Sequence, residues 1–314
     1  MISYNHQDFI AKAIDSILMQ KVDFEYEIII GDDCSKDNTA AIIEQYRAKF
    51  PLIIKPLKYE KNVGMIQNCI NVLSACTGKY IAILEGDDYW TDKLKLQTQV
   101  DFLEQNDDYV MCYHDVNSLK NNKLAKAYHW NVPDTTDQDY LLKNGNFIIT
   151  LSVMFRNKAN IVSFLTQCKT APFGDFLIYI AATEQGKIKY IKKNMGVYRV
   201  HDGGVWSQLG ALKATQKYID GLILIQKILP ENKKNYLKAL ILTRIEGLLT
   251  LSDTPETIDF AKSKCIELGY DESILELLKL KTDTSFQLNY MVKFMNINTM
   301  YKAIKEKYLI KYWN

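Results

Sequence analysis

The stretch GKYIAILEGDDYW, residues 78–90, decides the fold of this chain of 314 residues. Its apolar run, residues 80–84, is long enough for a buried strand, and three carboxylates follow it: Glu85, Asp87 and Asp88. Like charges at such close range repel one another, and a divalent cation removes that cost. Hard oxygen ligands suit Mg²⁺ or Mn²⁺, above all where a diphosphate completes the coordination shell. The alternative is a solvated acidic turn that caps the following helix.

A second acidic turn follows an earlier apolar run. Residues 26–30 (YEIII) predict a buried strand, and Asp32 and Asp33 stand in the turn after it. Predicted strands and helices alternate up to residue 115, which indicates a mainly parallel sheet with helices on both faces. Ligands bind such sheets beyond the carboxyl ends of the strands, so both acidic turns are expected at one site. Asp32 or Asp33 can then bond a base or a ribose, and the same turn can also cap the next helix.

The hydrophobic pattern changes after Trp206, where helical spacing takes over. The helical stretches cover residues 207–229, 231–251, 255–268 and 285 onward. We therefore predict an α/β domain over residues 1–206 and a helical C-terminal segment over residues 207–314. Within the first domain, residues 115–147 are polar and irregular and predict a flexible segment.

The charge balance argues against nucleic acid as a partner. Lys and Arg together number 39 and Asp and Glu 37, a formal net charge of +2, whereas nucleic-acid binders carry a strong basic excess. The six cysteines form no C-x-x-C pair, which indicates reduced thiols and a cytoplasmic protein. No stretch of ~20 apolar residues is available to span a membrane.

Two further residues are candidates for chemistry. Asp175 begins a predicted helix, where the helix dipole favours the ionised carboxylate. That position suits a general base, and it suits an ordinary N-terminal cap equally well. His201 lies close to Arg199 and ahead of a Gly-Gly turn. Imidazole and guanidinium are a reasonable pair for a diphosphate or a metal, and a purely structural histidine is the alternative.

Together these residues resemble the family 2 glycosyltransferases, which have the single Rossmann-like fold called GT-A. The resemblance runs from residue 1 to residue 206 and rests on five blocks in the family's order. The blocks are Ser3-Tyr4-Asn5-His6, EIIIGDDCSKDNT (27–39), NVGMIQN (62–68), GKYIAILEGDDYWTDKLKLQ (78–97) and GDFLIYIAATEQGKI…YRVHDGGVWS (174–207). Each block is weak alone, and their common order makes the resemblance specific.

The resemblance implies a nucleotide site at the ends of the first strands. Its residues would be Tyr4, Asn5, Asp32, Asp33, Asn62, Gly64 and Asp87. Tyr4 and Asn5 would lie near the base, and Asp32 or Asp33 would hydrogen-bond it, the base normally being uracil. The loop with Asn62 would approach the nucleotide.

The resemblance also implies a metal and a base. The metal, Mn²⁺ or Mg²⁺, would have its ligands among Glu85, Asp87, Asp88 and His201. Glu85-x-Asp87 matches the family's D-x-D motif, with Glu in place of the commoner Asp. Asp175 matches the general base, which usually stands in an E-D pair; here Gly174 replaces the Glu.

The implied function is transfer of a sugar, with inversion, from a nucleotide-sugar donor, normally a UDP-sugar. The acceptor would be the hydroxyl of a saccharide or of a lipid-linked saccharide, in polysaccharide or lipopolysaccharide assembly. One alternative is a nucleotidyltransferase, which wants a Gly-rich basic loop where this chain has His6-Gln7-Asp8. Another is a scaffold that binds a nucleotide-sugar without turnover. It could dispense with Asp175, so the presence of that residue favours an enzyme.

The two ends of the chain give further expectations. Residues 285–314 combine five lysines with aromatic residues, which suits peripheral contact with an anionic membrane at the inner face of the cell. A terminal helix packed on the helical segment is the alternative. At the other end, only Met1-Ile2-Ser3 precedes the Tyr-Asn motif, where the family has a whole strand. We therefore expect a truncated first strand and low stability for residues 1–314 alone.

Overall fold

The computed structural model describes residues 1–127, 132–204, 208–271 and 274–275. The strands in these ranges are β1 (Ile2–Ser3), β2 (Ile28–Asp32), β3 (Ile54–Leu57), β4 (Tyr80–Ala82), β5 (Tyr89–Trp90), β6 (Tyr109–Lys120), β7 (Lys123–Lys126), β8 (Thr135–Thr136), β9 (Met154–Arg156) and β10 (Lys187–Val200). The helices are α1 (Ile10–Leu18), α2 (Thr39–Lys49), α3 (Met65–Ala75), α4 (Lys95–Gln105), α5 (Gln138–Asn144), α6 (Ala159–Gln167), α7 (Asp175–Ala182), α8 (Gly210–Ile228), α9 (Glu231–Leu251) and α10 (Pro255–Glu267). A 3₁₀ helix, Thr150–Ser152, precedes β9.

The first three strands form a parallel sheet in the order β1-β2-β3. Ile2 pairs with Gly31, and Ile28 pairs with Ile54. Parallel neighbours require a crossover connection, which α1 and α2 supply. Ile28, Ile29 and Ile30 are 4%, 4% and 0% exposed, as expected for a strand that is covered on both faces.

The remaining strands form a mixed sheet in the order β4-β9-β6-β10-β5, with β7 beside β6 and β8 beside β10. Only the pairing of β6 with β10 is parallel; the others are antiparallel. A parallel bridge between Ile2 and Glu85, with the Gly86 amide donating to the Ile2 carbonyl at 3.0 Å, joins the two sheets. The predicted α/β fold is confirmed. Its parallel part is confined to the first sheet and the β6–β10 pair.

The prediction of a flexible segment over residues 115–147 is wrong for most of the described part. β6 continues to Lys120 and returns as β7 through a two-residue turn. Asn121 and Asn122 have φ angles of 50° and 60°, and asparagine tolerates this left-handed region well. Farther on, Asp137 caps α5 by accepting a hydrogen bond from the Tyr140 amide at 2.9 Å. The polar composition reflects an exposed hairpin and a capped helix.

The core fixes the position of the loop that precedes α1. Ile10, Ile14 and Ile17 are buried at helical spacing and belong to the same core cluster as Leu84, just after β4. The carbonyl of His6 accepts hydrogen bonds from the first turn of α1, including one of 2.8 Å from the Ile10 amide. The packing of α1 therefore holds His6 next to the acidic turn that follows Leu84.

The chain separates into two compact units, Met1–Ser207 and a second that begins at Gln208. In the second unit, α8, α9 and α10 bury apolar side chains such as Leu222, Ile245 and Ala261. No helix within the described ranges is both long and apolar enough to cross a membrane. Residues 285–314, for which membrane contact is predicted, lie outside the described residues.

Candidate active site

A cavity of about 1440 Å³ extends from the residues that precede β2 and β4, such as Tyr26 and Lys79, to the turns where β1, β2 and β4 end. Its lining includes most of the predicted site residues: Tyr4, Asp33, Asn62, Gly64, Glu85, Asp87 and Asp175. The structure therefore brings the two acidic turns and the helix of Asp175 to one place, as the strand-end argument predicts. These side chains make different hydrogen bonds within the protein, and those bonds limit the role that each can have toward a ligand.

Asp33 holds the loop that approaches the cavity. Its carboxylate accepts hydrogen bonds from the amides of Val63 at 2.6 Å and Gly64 at 2.9 Å, and the Asn62 side chain donates to the Asp33 carbonyl at 2.9 Å. The side chain is only 4% exposed. Asp33 thus positions the 62–64 loop, while its neighbour Asp32 is half-buried and accepts from the amide and hydroxyl of Ser35.

Tyr4 and Asn5 are neighbours, but only Tyr4 is available to a ligand. Asn5 has a φ of 56°, its amide donates to Ser35 Oγ at 2.8 Å, and its Oδ1 accepts from the Lys36 amide at 2.8 Å. These bonds tie Asn5 to the turn after β2. Tyr4 is 41% exposed and lines the cavity, so its ring is available to a ligand.

The three carboxylates of the acidic turn differ in their surroundings. Asp87 faces the cavity, with its Oδ2 3.1 Å from Nε2 of His201. Asp88 is fully buried, and its Oδ1 accepts a hydrogen bond of 2.8 Å from the Arg199 amide. Burial, followed by the nearby Asp87 and Glu85, holds the pKa of Asp88 well above its usual range. Of the predicted metal ligands, Asp88 is therefore turned into the protein.

Glu85 lies at the cavity wall between Asp87 and Asp175. Burial raises the pKa of Glu85 strongly, and the charges of Asp87 and Asp175 add to the effect. A hydrogen bond with Thr150 opposes it. Burial and the two neighbouring carboxylates therefore favour the neutral form of Glu85 as long as no cation is bound.

His6 is a site residue to which the sequence assigned no role. Its Nε2 lies 3.7 Å from Oδ2 of Asp87, so two imidazoles approach one carboxylate oxygen. Burial is the main cause of a lowered His6 pKa, which keeps the ring neutral. A Cβ on Gly86 would come within 2.8 Å of Nδ1 of His6 and 2.9 Å of Oγ of Ser3. The glycine of the acidic turn therefore makes room for His6.

The donors around Asp87 fit a divalent cation only in part. One carboxylate and two imidazoles are suitable ligands, but no group of three or more His, Cys, Asp or Glu side chains in the described residues could hold a metal by itself. A cation here would need oxygens from a bound diphosphate. Asp87 and His201 stay candidate ligands, His6 lies beside them, and Asp88 already gives one oxygen to the Arg199 amide.

Asp175 is the first residue of α7 and lines the cavity. Its Oδ1 accepts from the Phe176 amide at 2.7 Å, and its Oδ2 accepts from Nδ2 of Asn146 at 2.6 Å. Burial raises the pKa of Asp175, and these two hydrogen bonds oppose the rise because they favour the charged carboxylate. Asn146 is the second residue that the sequence analysis missed, because nothing near it in the sequence marks it.

A family model described as "Glycosyl transferase family 2" matches residues 1–164, more than half of the chain. The chain belongs to glycosyltransferase family 2. An uncharacterised protein of Mycobacterium tuberculosis is 34% identical over 209 residues, which are 65% of this chain and 59% of that relative. This family 2 chain therefore spans about three fifths of the length of that relative.

One more relative and one solved structure of similar fold are informative. WfaP of Escherichia coli, named UDP-Glc:alpha-D-GlcNAc-diphosphoundecaprenol beta-1,3-glucosyltransferase, is 29% identical over 205 residues, which are 65% of this chain and 76% of WfaP. The crystal structure of S. aureus TarS residues 1–349 with UDP-GlcNAc superposes with a TM-score of 0.65 at 18% identity, covering 99% of this chain and 90% of that one. The likeness to TarS confirms the GT-A fold of the family 2 chain.

Proposed function

We propose that the chain transfers a sugar from a UDP-sugar, with inversion, to the hydroxyl of a saccharide or lipid-linked acceptor in surface-polysaccharide assembly. The observation that carries the proposal is the convergence, in one cavity, of the Asp33-anchored loop, Asp87 and Asp175, with Nε2 of His201 3.1 Å from Oδ2 of Asp87. The loop would hold the nucleotide, Asp87 would act at the diphosphate through a cation, and Asp175 would act on the acceptor hydroxyl. The UDP-sugar named for WfaP supports the choice of donor.

The residues divide the work of the reaction as follows. Tyr4 and the 62–64 loop, which line the cavity, hold the nucleotide. Asp32, half-buried at the end of β2, is the candidate partner of the base. Mn²⁺ or Mg²⁺, held by Asp87, His201 and His6, would neutralise the charge of the departing diphosphate. Asp175 removes the proton of the acceptor hydroxyl, which forms the new bond to the anomeric carbon as the UDP leaves from the opposite face. Glu85 also lines the cavity, where its carboxyl group can hydrogen-bond the reacting sugar.

The proposal is tested by measuring UDP release over a panel of UDP-sugars and saccharide acceptors, with Mn²⁺ or Mg²⁺. Asp175→Asn should lower turnover by about 10²–10⁴-fold, the usual contribution of a general base, and should leave UDP affinity unchanged. A release of UDP that Asp175→Asn leaves intact would contradict the assigned base.

The second candidate is a scaffold that binds the nucleotide-sugar without turnover. UDP affinity with no turnover on any acceptor would favour it, since the nucleotide loop does not depend on Asp175. A nucleotidyltransferase would instead release pyrophosphate from a nucleoside triphosphate, so an assay of pyrophosphate release from UTP and sugar phosphates tests this third possibility.

We also propose a cytoplasmic location, with peripheral membrane contact through residues 285–314. Five lysines among aromatic residues support that contact. Removal of residues 285–314 should release the protein from anionic vesicles in a sedimentation assay. Unchanged partitioning would contradict it.

A further inference from the structure

Arg199, near the end of β10, contacts three consecutive residues of the acidic turn. Its amide donates to Oδ1 of Asp88 at 2.8 Å, and its Nη1 donates to the carbonyl of Asp87. Its guanidinium carbon lies 4.5 Å from the ring centroid of Tyr89, the next residue of the turn. Arg199 therefore holds the backbone that carries the Asp87 carboxylate.

Two aromatic rings hold the guanidinium group of Arg199 in turn. Besides Tyr89 in β5, the ring of Phe9, just before α1, has its centroid 5.1 Å from the guanidinium carbon. A guanidinium group is flat and stacks on aromatic faces, so two such neighbours restrict the orientation of its plane. Neither Phe9 nor Tyr89 is part of the cavity lining, so we expect both rings to act through Arg199 and not on a ligand.

The same group of side chains reaches His201. The ring centroids of Phe9 and His201 are 4.8 Å apart, and Nε2 of His201 lies 3.1 Å from Oδ2 of Asp87. Since His201 follows Arg199 by two residues, a contact that fixes Arg199 also fixes the backbone that leads to His201. Both candidate metal ligands thus depend on the position of Arg199.

Direct binding of a diphosphate is the alternative role for this arginine. Arginine has five N–H donors in a fork that suits phosphate oxygens, and Arg199 is part of the cavity lining. The side-chain contacts described above are all with the protein, however, and they fix the orientation of the guanidinium group without a ligand. They favour a role in which Arg199 supports other residues.

We propose that Arg199, packed against Phe9 and Tyr89, is a positioning residue that holds Asp87 and His201 where they bind the divalent cation. The inference rests on the proposed function, in which these two side chains are ligands of that cation. Removal of a group that supports a metal ligand typically lowers metal affinity by ~10–100-fold. Arg199 therefore sets how tightly the cation is held, although it does not touch the cation itself.

The test measures UDP binding by isothermal titration calorimetry, first in metal-free buffer and then over a series of Mn²⁺ concentrations. Arg199→Lys keeps the charge but loses the flat surface that stacks on the rings. The Mn²⁺ concentration that gives half of the Mn²⁺-dependent increase in UDP affinity should rise by about tenfold, while the metal-free affinity for UDP stays that of wild type. A direct ligand of the diphosphate would instead lower the metal-free affinity, and that result would overturn the proposal.

A pair of variants at Tyr89 tests the same idea at a residue that does not line the cavity. Tyr89→Leu removes the ring and should raise the Mn²⁺ requirement as Arg199→Lys does, whereas the control Tyr89→Phe keeps the ring and should match wild type. This pair decides the matter if thermal melting shows that Arg199→Lys does not fold.

Equal Mn²⁺ requirements in Tyr89→Leu and wild type, or equal losses in Tyr89→Leu and Tyr89→Phe, would overturn the proposal. So would a wild-type affinity for UDP that Mn²⁺ does not increase. Failure of wild type to bind UDP under either condition would instead count against the proposed function.

Discussion

Asn146 and Asp175 form a side-chain pair in which Nδ2 of the amide donates to Oδ2 of the carboxylate at 2.6 Å. The Asn146 Oδ1 accepts in turn from the Ile148 amide at 3.1 Å, which fixes the orientation of the amide group. The Phe176 amide donates to the other carboxylate oxygen, so both oxygens of Asp175 accept hydrogen bonds from the protein. The proposed base is therefore oriented before any acceptor arrives.

Asn146→Ala should slow the enzyme and shift its pH profile. The variant removes a hydrogen bond to the charged form of Asp175, so the pKa of Asp175 rises. A base acts only when deprotonated, so the acid limb of kcat/KM moves to higher pH. A hydrogen bond to a charged group is worth ~1.5–3 kcal/mol, which corresponds to a loss of roughly tenfold or more at neutral pH. Steady-state UDP release from pH 5 to pH 9 measures both effects.

The control is Asn144→Ala, because the Asn144 side chain is exposed and donates to the Tyr140 carbonyl of its own helix. Its pH profile should match that of wild type. A loss of rate in Asn146→Ala with no movement of the acid limb would mean that Asn146 supports only the local fold.

Gly86→Ala should disturb the site through His6. The added Cβ would meet Nδ1 of His6 at 2.8 Å and Oγ of Ser3 at 2.9 Å, closer than real Cβ contacts come. We expect a loss of about 1–3 kcal/mol in the free energy of unfolding, as for other overpacked sites, together with weaker Mn²⁺ dependence of turnover. Gly247→Ala is the control, since open space surrounds that helical glycine and alanine there should stabilise by ~0.5–1 kcal/mol. Urea unfolding measures both variants, and equal midpoints for Gly86→Ala and wild type would refute the steric argument.

The sequence was sufficient to predict which residues meet, because that depends on strand ends. Asp33, Asp87 and Asp175 each follow or begin an element whose hydrophobic period is plain, and the alternation of strands and helices brings such ends together. The strands that complete the second sheet were harder to predict. The hairpin of β6 and β7 is polar and shows no hydrophobic alternation. Its sequence therefore predicts an irregular segment, although the residues form two strands at an exposed edge of the sheet.

The direction of each side chain could not be predicted from the sequence. Asp87 and Asp88 are neighbours, yet one faces the cavity and the other accepts from the Arg199 amide, 111 residues later in the chain. The position of the Arg199 amide next to Asp88 depends on how β10 is aligned with its neighbouring strands. Asn146 reaches Asp175 for the same kind of reason, across 29 residues, and no local pattern indicates such a contact.

The metal requirement should depend on Asp87 and His201 and not on Asp88. Asp87→Asn and His201→Ala each remove a candidate ligand, so the Mn²⁺ concentration that gives half-maximal UDP release should rise by roughly tenfold or more. Asp88→Asn keeps an oxygen for the Arg199 amide and should leave that concentration unchanged. Excess EDTA should abolish turnover in wild type. A larger effect of Asp88→Asn than of Asp87→Asn would reverse the assignment made from burial.

Glu85→Gln should stabilise the protein in alkaline, metal-free buffer. Burial raises the pKa of Glu85 in the folded state above its ordinary value of 4.5, so folding disfavours the charged form. The free energy of unfolding is therefore unaffected by this group below pH 4.5 and decreases as the pH rises above it, because Glu85 ionises more readily in the unfolded chain than in the folded one. Glutamine has no proton to lose, so the variant should melt at the same temperature as wild type at pH 4 and at a higher temperature at pH 8. Glu60→Gln, at an exposed position, should follow wild type at both values, and a Glu85→Gln variant less stable at pH 8 would show that its ionised form is stabilised by the fold.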